Sequence, residues 1–264
     1  MMNWKIVAPI AIIAAGGIWL VSQQPEPASP IEQPVTLPAE IDPKPPEVVV
    51  EAEPEVVEVE APVTKAPALP PITPPPVALD NSDVTVLEAV ADLSPSLGKW
   101  LIPQEQLRKW VLAIDNIAND SLPGKYSPVS YHMDGFAVSG DADTGFQMSE
   151  ANFNRADKLI NAVTAMDPQT VARYYQSWLP MLEEAYRELG KPGTFADSFD
   201  RASERLMAVQ GLQQPAELDR PVVFYTYDDK TLEDSGDIDK LMWRLGDYNR
   251  EKVQAFLIEF NKYK

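Results

Sequence analysis

Leu107, Trp110, Val111, Ile114, Ile117 and Ala118 recur at intervals of three and four, and the spacing predicts one apolar face of an amphipathic helix. Pro103 suits the first turn of that helix, where a missing N–H costs nothing. Ahead of it, Ser82 is expected to cap a short helix with Val84, Leu87 and Ala91 on one side. Behind it, Ser149 is expected to cap a helix bearing Phe153, Ala156, Ile160 and Val163. Asp167-Pro168 is a strong helix start, a cap followed by proline at the first helical position. Val171, Tyr175, Trp178, Leu182, Ala185 and Leu189 then follow at near-heptad spacing, with a kink expected at Pro180 and a stop at Gly190 and Pro192. Thr194 with Asp197 resembles a capping box before Phe199, Ala202, Leu206 and Val209. Asp237 or Ser235 starts a helix running to Leu245 and stopped by Gly246. Asp247 is expected to cap the last one, with Val253, Phe256, Leu257 and Phe260 inside.

Two stretches break the helical period. Residues 121–146 are rich in Gly, Pro and Asp and read as loop, with a short hairpin around "FAVSGDADTGF". "PVVFYTY", Pro221–Tyr227, is the best strand candidate by composition. The fold class expected for residues 80–264 is therefore mainly α, a helical bundle with at most a short β element.

The N-terminus has another pattern. Residues 6–21 read "IVAPIAIIAAGGIWLV" without a charge. From Trp4 to Ser22 a helix would be about 28 Å long, close to a hydrocarbon core of about 30 Å. Residues 1–22 are expected to form a transmembrane signal anchor, seated in an inner membrane through residues 4–22. "WLVSQQPEP" offers no small-x-small site, which favours an uncleaved anchor. Lys5 precedes the span and no Lys or Arg occurs in the twenty residues after it, so the C-terminal domain is expected in the periplasm of a bacterium. Ala11 and Ala15 form a small-xxx-small pair, a pattern that supports helix dimers but also arises from composition alone.

Residues 23–79 hold 16 of the 26 prolines, with ten acids and two lysines. In "PEVVVEAEPEVVEVEAPV" prolines interrupt the valine alternation, and glutamates would repel across a paired copy. The segment is expected to be a disordered, acidic, Pro-rich linker with polyproline-II character. Fully extended, such a tether reaches at most about 175 Å.

Charge and composition narrow the chemistry. The net charge is −18, and thirty acids stand against nineteen Lys and Arg in residues 80–264, so no nucleic-acid partner is expected. With no cysteine, disulfides, thiolate metal sites and a Cys nucleophile are excluded. The single histidine, His132, lies near Ser130 and Asp134, a grouping too common to define a catalytic site. One His and no Cys imply no metal site and no cofactor. Glu183-Glu184, Asp228-Asp229 and Glu233-Asp234 with Asp237 read as solvated faces. "DADTGFQMSE", Asp141–Glu150, lacks the order of a calcium loop. Tyr174, Tyr175, Trp178 and Tyr186 concentrate on one helix. Tyr175 and Trp178 are assigned to the core. Arg173 and a half-exposed Tyr174 are the candidate binding residues, since Tyr and Arg anchor interfaces.

The segments "SDVTV" (82–86), "IDNIA" (114–118), "AMDPQTVARYYQSWLPMLEEAYRELGKPGTF" (165–195) and "DKLMWRLGDYN" (239–249) together resemble a bacterial family known as domain of unknown function 3014. The resemblance spans about residues 80–264. It departs near the C-terminus, at Asp228-Asp229-Lys230 and at Leu245-Gly246-Asp247. It implies a membrane segment, a Pro-rich stretch and a helical domain in a Gram-negative envelope, and it transfers no activity.

The expected function is a membrane-tethered periplasmic module, a non-enzymatic binding or scaffolding domain with an envelope-protein or cell-wall partner. The alternative is an enzyme acting on the cell wall or an envelope polysaccharide through two carboxylates. A TonB-like coupler is disfavoured, because it would end in a mixed α/β domain.

Overall fold

The structure is a computed structural model and describes residues 69–122, 124, 126–212 and 215–264. The expected anchor at 1–22 and the linker as far as residue 68 lie outside the described residues. Among the described residues no helix is long and apolar enough to cross a membrane.

The described chain is mainly helical. Helix α1 spans Asp83–Leu93, α2 Pro95–Gly98, α3 Gln106–Ala118, α4 Asp157–Thr164, α5 Pro168–Glu188, α6 Phe195–Ala208, α7 Lys230–Glu233, α8 Asp237–Arg244 and α9 Gly246–Asn261. Helix α5 is the axis of the core: ten of its residues are buried, among them Val171, Tyr175, Trp178, Leu182 and Ala185. Helix α3 packs against α5 and α6, while α9 packs against α4, α5, α6 and α8. The α3 face is buried from Leu107 to Ile117, and Val253, Phe256, Leu257 and Phe260 of α9 are buried as their spacing predicts.

Local chemistry sets the ends of the long helices. The Asp167 carboxylate accepts the Thr170 N–H, and Pro168 follows at the first helical position. The helix then continues through Pro180 to Glu188. It stops where Gly190 takes a left-handed backbone (φ 67°), a conformation that glycine adopts without a Cβ clash. Thr194 caps α6 by accepting the Asp197 N–H. The Glu183 carboxylate accepts two more free donors of that end, Phe195 N–H and Ala196 N–H, and so ties α5 to α6.

Several expected caps are used differently. Ser82 makes no side-chain cap. Its neighbour Asp83 instead accepts the N–H groups of Glu105 and Gln106 and caps α3 from a distance. Pro103 therefore lies in the bend before α3, and a left-handed Glu105 (φ 57°) turns the chain into the helix. Helix α1 buries Val86 and Ala89, while Val84 is exposed, because α1 turns its other face to α3. Ser149 caps a 3-10 turn, Glu150–Asn152, and α4 starts only at Asp157. Leu245 rather than Asp247 is the cap residue of α9, and Asp247 pairs with Arg250 within its first turn. Helix α2 escaped the periodicity: Ser94 accepts the Leu97 N–H and its hydroxyl donates to Ala162 O of α4.

The β element is larger than expected. Strands β1 (Val138–Asp141), β2 (Gly145–Met148), β3 (Glu217–Asp219) and β4 (Thr226–Tyr227) form one antiparallel sheet in the order β1-β2-β3-β4. The hairpin falls where the sequence places it, with Ser139 opposite Gln147. "PVVFYTY" is mostly not a strand. Leu218 pairs with Tyr227 and Asp219 with Thr226, so residues 220–225 must reverse the chain. Val222 and Phe224 are exposed at that reversal. Strand preference measures packing on a half-buried pleat, and there is no pleat there.

Candidate functional site

An open groove of about 630 Å³ lies between the hairpin and the C-terminal helices. The hairpin side contributes Ser139, Gln147 and Met148. In register, Ser139, Gln147 and Glu217 share the polar face of the sheet, whereas Phe146, Leu218 and Tyr227 share the apolar one. The opposite side contributes Phe153, Leu212, Pro215 and Trp243. The Trp243 indole is fixed by its Nε1–H donating to Gln210 O at 2.9 Å and by a perpendicular contact with the Tyr227 ring. Two carboxylates, Glu150 and Asp247, also line the groove, and Asp247 accepts from Arg250 at 2.9 Å. A groove lined by both apolar side chains and polar strand residues suits an extended or amphipathic ligand.

Tyr174 is buried, not half-exposed. The region around it is covered by Thr73, at the end of the Pro-rich segment. The Tyr174 hydroxyl accepts the Thr73 N–H, and its ring meets Trp178 edge-on at 5.9 Å. Arg173 is half-buried on the same helix.

The remaining candidates are scattered. Ser130 donates its N–H to Trp100 O, His132 is exposed, and the Asp134 carbonyl accepts from Arg155 Nε. Glu183 caps α6, Asp229 caps α7 through the Thr231 N–H, and Glu233 accepts the Tyr227 N–H. Asp141 accepts from the N–H groups of Asp143 and Thr144 and from the Thr144 hydroxyl, closing the hairpin turn. Those bonds, the Thr144 ones first, hold its carboxyl below the usual range. Among the described residues no group of three or more His, Cys, Asp or Glu is placed to hold a metal ion.

The residues with the most unusual environments were passed over by the periodicity. Asp115 is 1% exposed in the last turn of α3. It accepts from the Lys191 ammonium, from the Tyr186 hydroxyl at 3.3 Å and from the Ser198 hydroxyl at 3.4 Å. One carboxylate thereby joins α3, α5, the turn after α5, and α6. Arg205 bridges Asp120 and Asp239, at 2.8 and 2.5 Å. Asn249 donates to Phe153 O and to the Asp157 carboxylate, both at 2.8 Å, fixing α9 on α4. Arg155 is buried with both terminal nitrogens unpartnered, and burial lowers its pKa. The one available signal was a charged residue inside an apolar run, as Asp115 is within Ile114–Ala118.

The described residues thus form a helical domain with a small antiparallel sheet, its helices keyed by buried and half-buried polar side chains. Asp115, Tyr186, Lys191, Asp239 and Asn249, which form those keys, all lie in the segments that carry the family resemblance. The chain belongs to the family described as Protein of unknown function (DUF3014), whose model matches residues 106–261. No curated protein and no solved structure matches the chain.

Proposed function

We propose that this protein is a membrane-tethered binding or scaffolding module of the bacterial envelope. Residues 4–22 hold it in the inner membrane, the Pro-rich segment gives reach, and the helical domain engages an envelope protein or the cell wall in the periplasm. The observation that carries the binding reading is the groove between the hairpin and α8–α9, lined by an immobilised Trp243 and by Ser139 and Gln147 of the hairpin. A long tether raises the local concentration of such a groove near partners held at a distance from the membrane.

The test is crosslinking in cells. A photoreactive residue at Gln147, in the groove, is expected to give a discrete adduct. The same residue at exposed Glu184, on α5 and outside the groove, is expected to give none. Equal yields at both positions would remove the groove from the proposal. Location is tested separately, with an export-dependent and a cytoplasm-dependent reporter fused after Lys264. Activity of the cytoplasmic reporter would overturn the periplasmic placement. Replacing the linker with about ten residues is expected to impair function while the domain stays folded.

The second reading is a carboxylate enzyme acting on an envelope polysaccharide. It is favoured only by Glu150 and Asp247 lining one groove. Loss of a measurable wall-cleaving activity in both Glu150→Gln and Asp247→Asn would establish it. Absence of any such activity in the parent chain would end it.

A further inference from the structure

Helices α1 and α5 form a second surface, and residues 72–76, Ile-Thr-Pro-Pro-Pro, are bonded to it through Thr73. Three consecutive prolines fix φ. The rule for residues preceding proline then pushes Thr73, Pro74 and Pro75 into extended or polyproline-II backbone. Such a segment makes no hydrogen bonds within itself, so its polar backbone groups must find partners outside it.

Thr73 finds three. Its carbonyl accepts the Trp178 indole Nε1–H at 3.1 Å, and its N–H donates to the Tyr174 hydroxyl at 3.0 Å. Its hydroxyl donates to Asp92 of α1 at 3.2 Å. Ile72 packs on the core, and Pro76 is buried. A tryptophan N–H on a ligand carbonyl, with a second aromatic ring beside it, is the chemistry by which aromatic grooves read proline-rich peptides: a stiff ligand loses little entropy on docking. Next to it, between α1, α3 and α5, an apolar notch of about 70 Å³ is walled by Val90, Leu93, Trp110 and Trp178.

We propose that the α1–α5 surface is a recognition site for extended proline-rich segments, filled here by the chain's own residues 72–76, and that the same segment of a second copy can take their place. The occupant is a second copy of this chain, because its segment is identical in sequence to the one already seated. The bonds from residues 72–76 to Tyr174, Trp178 and Asp92 all come from Thr73, so exchange of those residues breaks few bonds. The cis segment competes at an effective concentration of order millimolar, set by its short connection to α1. A segment offered in trans should therefore bind at least tenfold better once the cis segment is disabled.

The experiment uses two full-length variants in mild detergent. In one, residues 72–76 are replaced by Gly-Ser-Gly-Ser-Gly, leaving the groove intact and empty. In the other, Tyr174→Phe and Trp178→Phe remove two of the three partners of Thr73 and leave a phenyl ring at each position, loosening the segment so that it can be donated. Each is expected to run at the size of the parent chain alone, and the two are expected to pair when mixed. A synthetic peptide of residues 72–79 should block the pairing, and a proline-free scramble should not. Failure to pair, with both variants folded by circular dichroism, overturns the proposal. If the Gly-Ser variant does not fold, the parent chain is titrated with the peptide to millimolar concentration while the Trp178 indole N–H resonance is followed. A saturable shift supports the site, and an unmoved resonance overturns it.

Discussion

The Lys191 ammonium, at the half-exposed turn after α5, reaches the carboxylate of Asp115, which is 1% exposed in the last turn of α3. The pair is asymmetric: the base can swing into water and the acid cannot. Lys191→Met leaves a buried carboxylate with only the Tyr186 and Ser198 hydroxyls to stabilise it. The expected loss is about 3–5 kcal/mol. Asp115→Asn keeps an acceptor for the hydroxyls and frees Lys191 to solvent, at about 1–2 kcal/mol. The double variant should be more stable than Lys191→Met alone, because no buried charge remains. Urea unfolding of the three variants checks the order. A larger loss from Asp115→Asn than from Lys191→Met would refute the asymmetry.

Arg155 is expected to be dispensable for stability. Its Nε donates to Asp134 O at 2.6 Å, but both terminal nitrogens are buried without partners. Desolvation first, and the nearby Arg244 charge as well, oppose its ionisation, while Asp134 favours it. Replacing such a cation by an apolar chain of similar length removes a desolvation cost, one hydrogen bond and a cation–π contact with Phe136 at 5.9 Å. Arg155→Met should unfold within about 1 kcal/mol of the parent chain. A loss above about 3 kcal/mol would mean that the terminal nitrogens are bonded in solution.

The buried tyrosines set an alkaline limit. Burial, and then the Asp200 and Glu183 charges, raise the pKa of Tyr175, whose hydroxyl has no partner. Burial also raises that of Tyr227. The unfolded chain releases these protons near pH 10 while the folded chain keeps them, so above about pH 10 the unfolded state binds fewer protons and stability falls as pH rises. Tyr175→Phe should flatten that fall and leave stability at pH 7 unchanged or higher. Thermal unfolding from pH 8 to 11 reads both. An unchanged slope in the variant would show that Tyr175 titrates normally.

Gly246 and Gly190 separate two costs of adding a methyl group. Both are left-handed, at φ 75° and 67°. A Cβ on Gly246 would lie 2.7 Å from the Phe153 ring, whereas one on Gly190 would meet nothing within 4 Å. Gly190→Ala should cost about 1 kcal/mol from backbone strain alone. Gly246→Ala should cost clearly more, because Phe153 must move in the groove wall. Equal shifts in melting temperature would mean that Phe153 is free to yield.

What the sequence determined by itself is the set of long helices and their inner faces. An amphipathic stripe needs only its own 3.6-residue period, so Leu107 to Ile117, Val171 to Ala185 and Val253 to Phe260 were legible without a partner. Asp167-Pro168, Gly190 and Thr194 marked ends by local chemistry for the same reason. Tertiary structure decided what depends on distant residues. Asp83 caps α3 across 22 positions, and no local pattern announces that. Val222 and Phe224 compose like a strand but are spent on a reversal imposed by the Leu218–Tyr227 pairing. The groove exists because β2 and Trp243 meet from either side of a 95-residue separation. Tyr174 is buried because a proline-rich segment 101 residues upstream lies over it. Periodicity records which face a helix turns inward; it carries no record of which other segment arrives there.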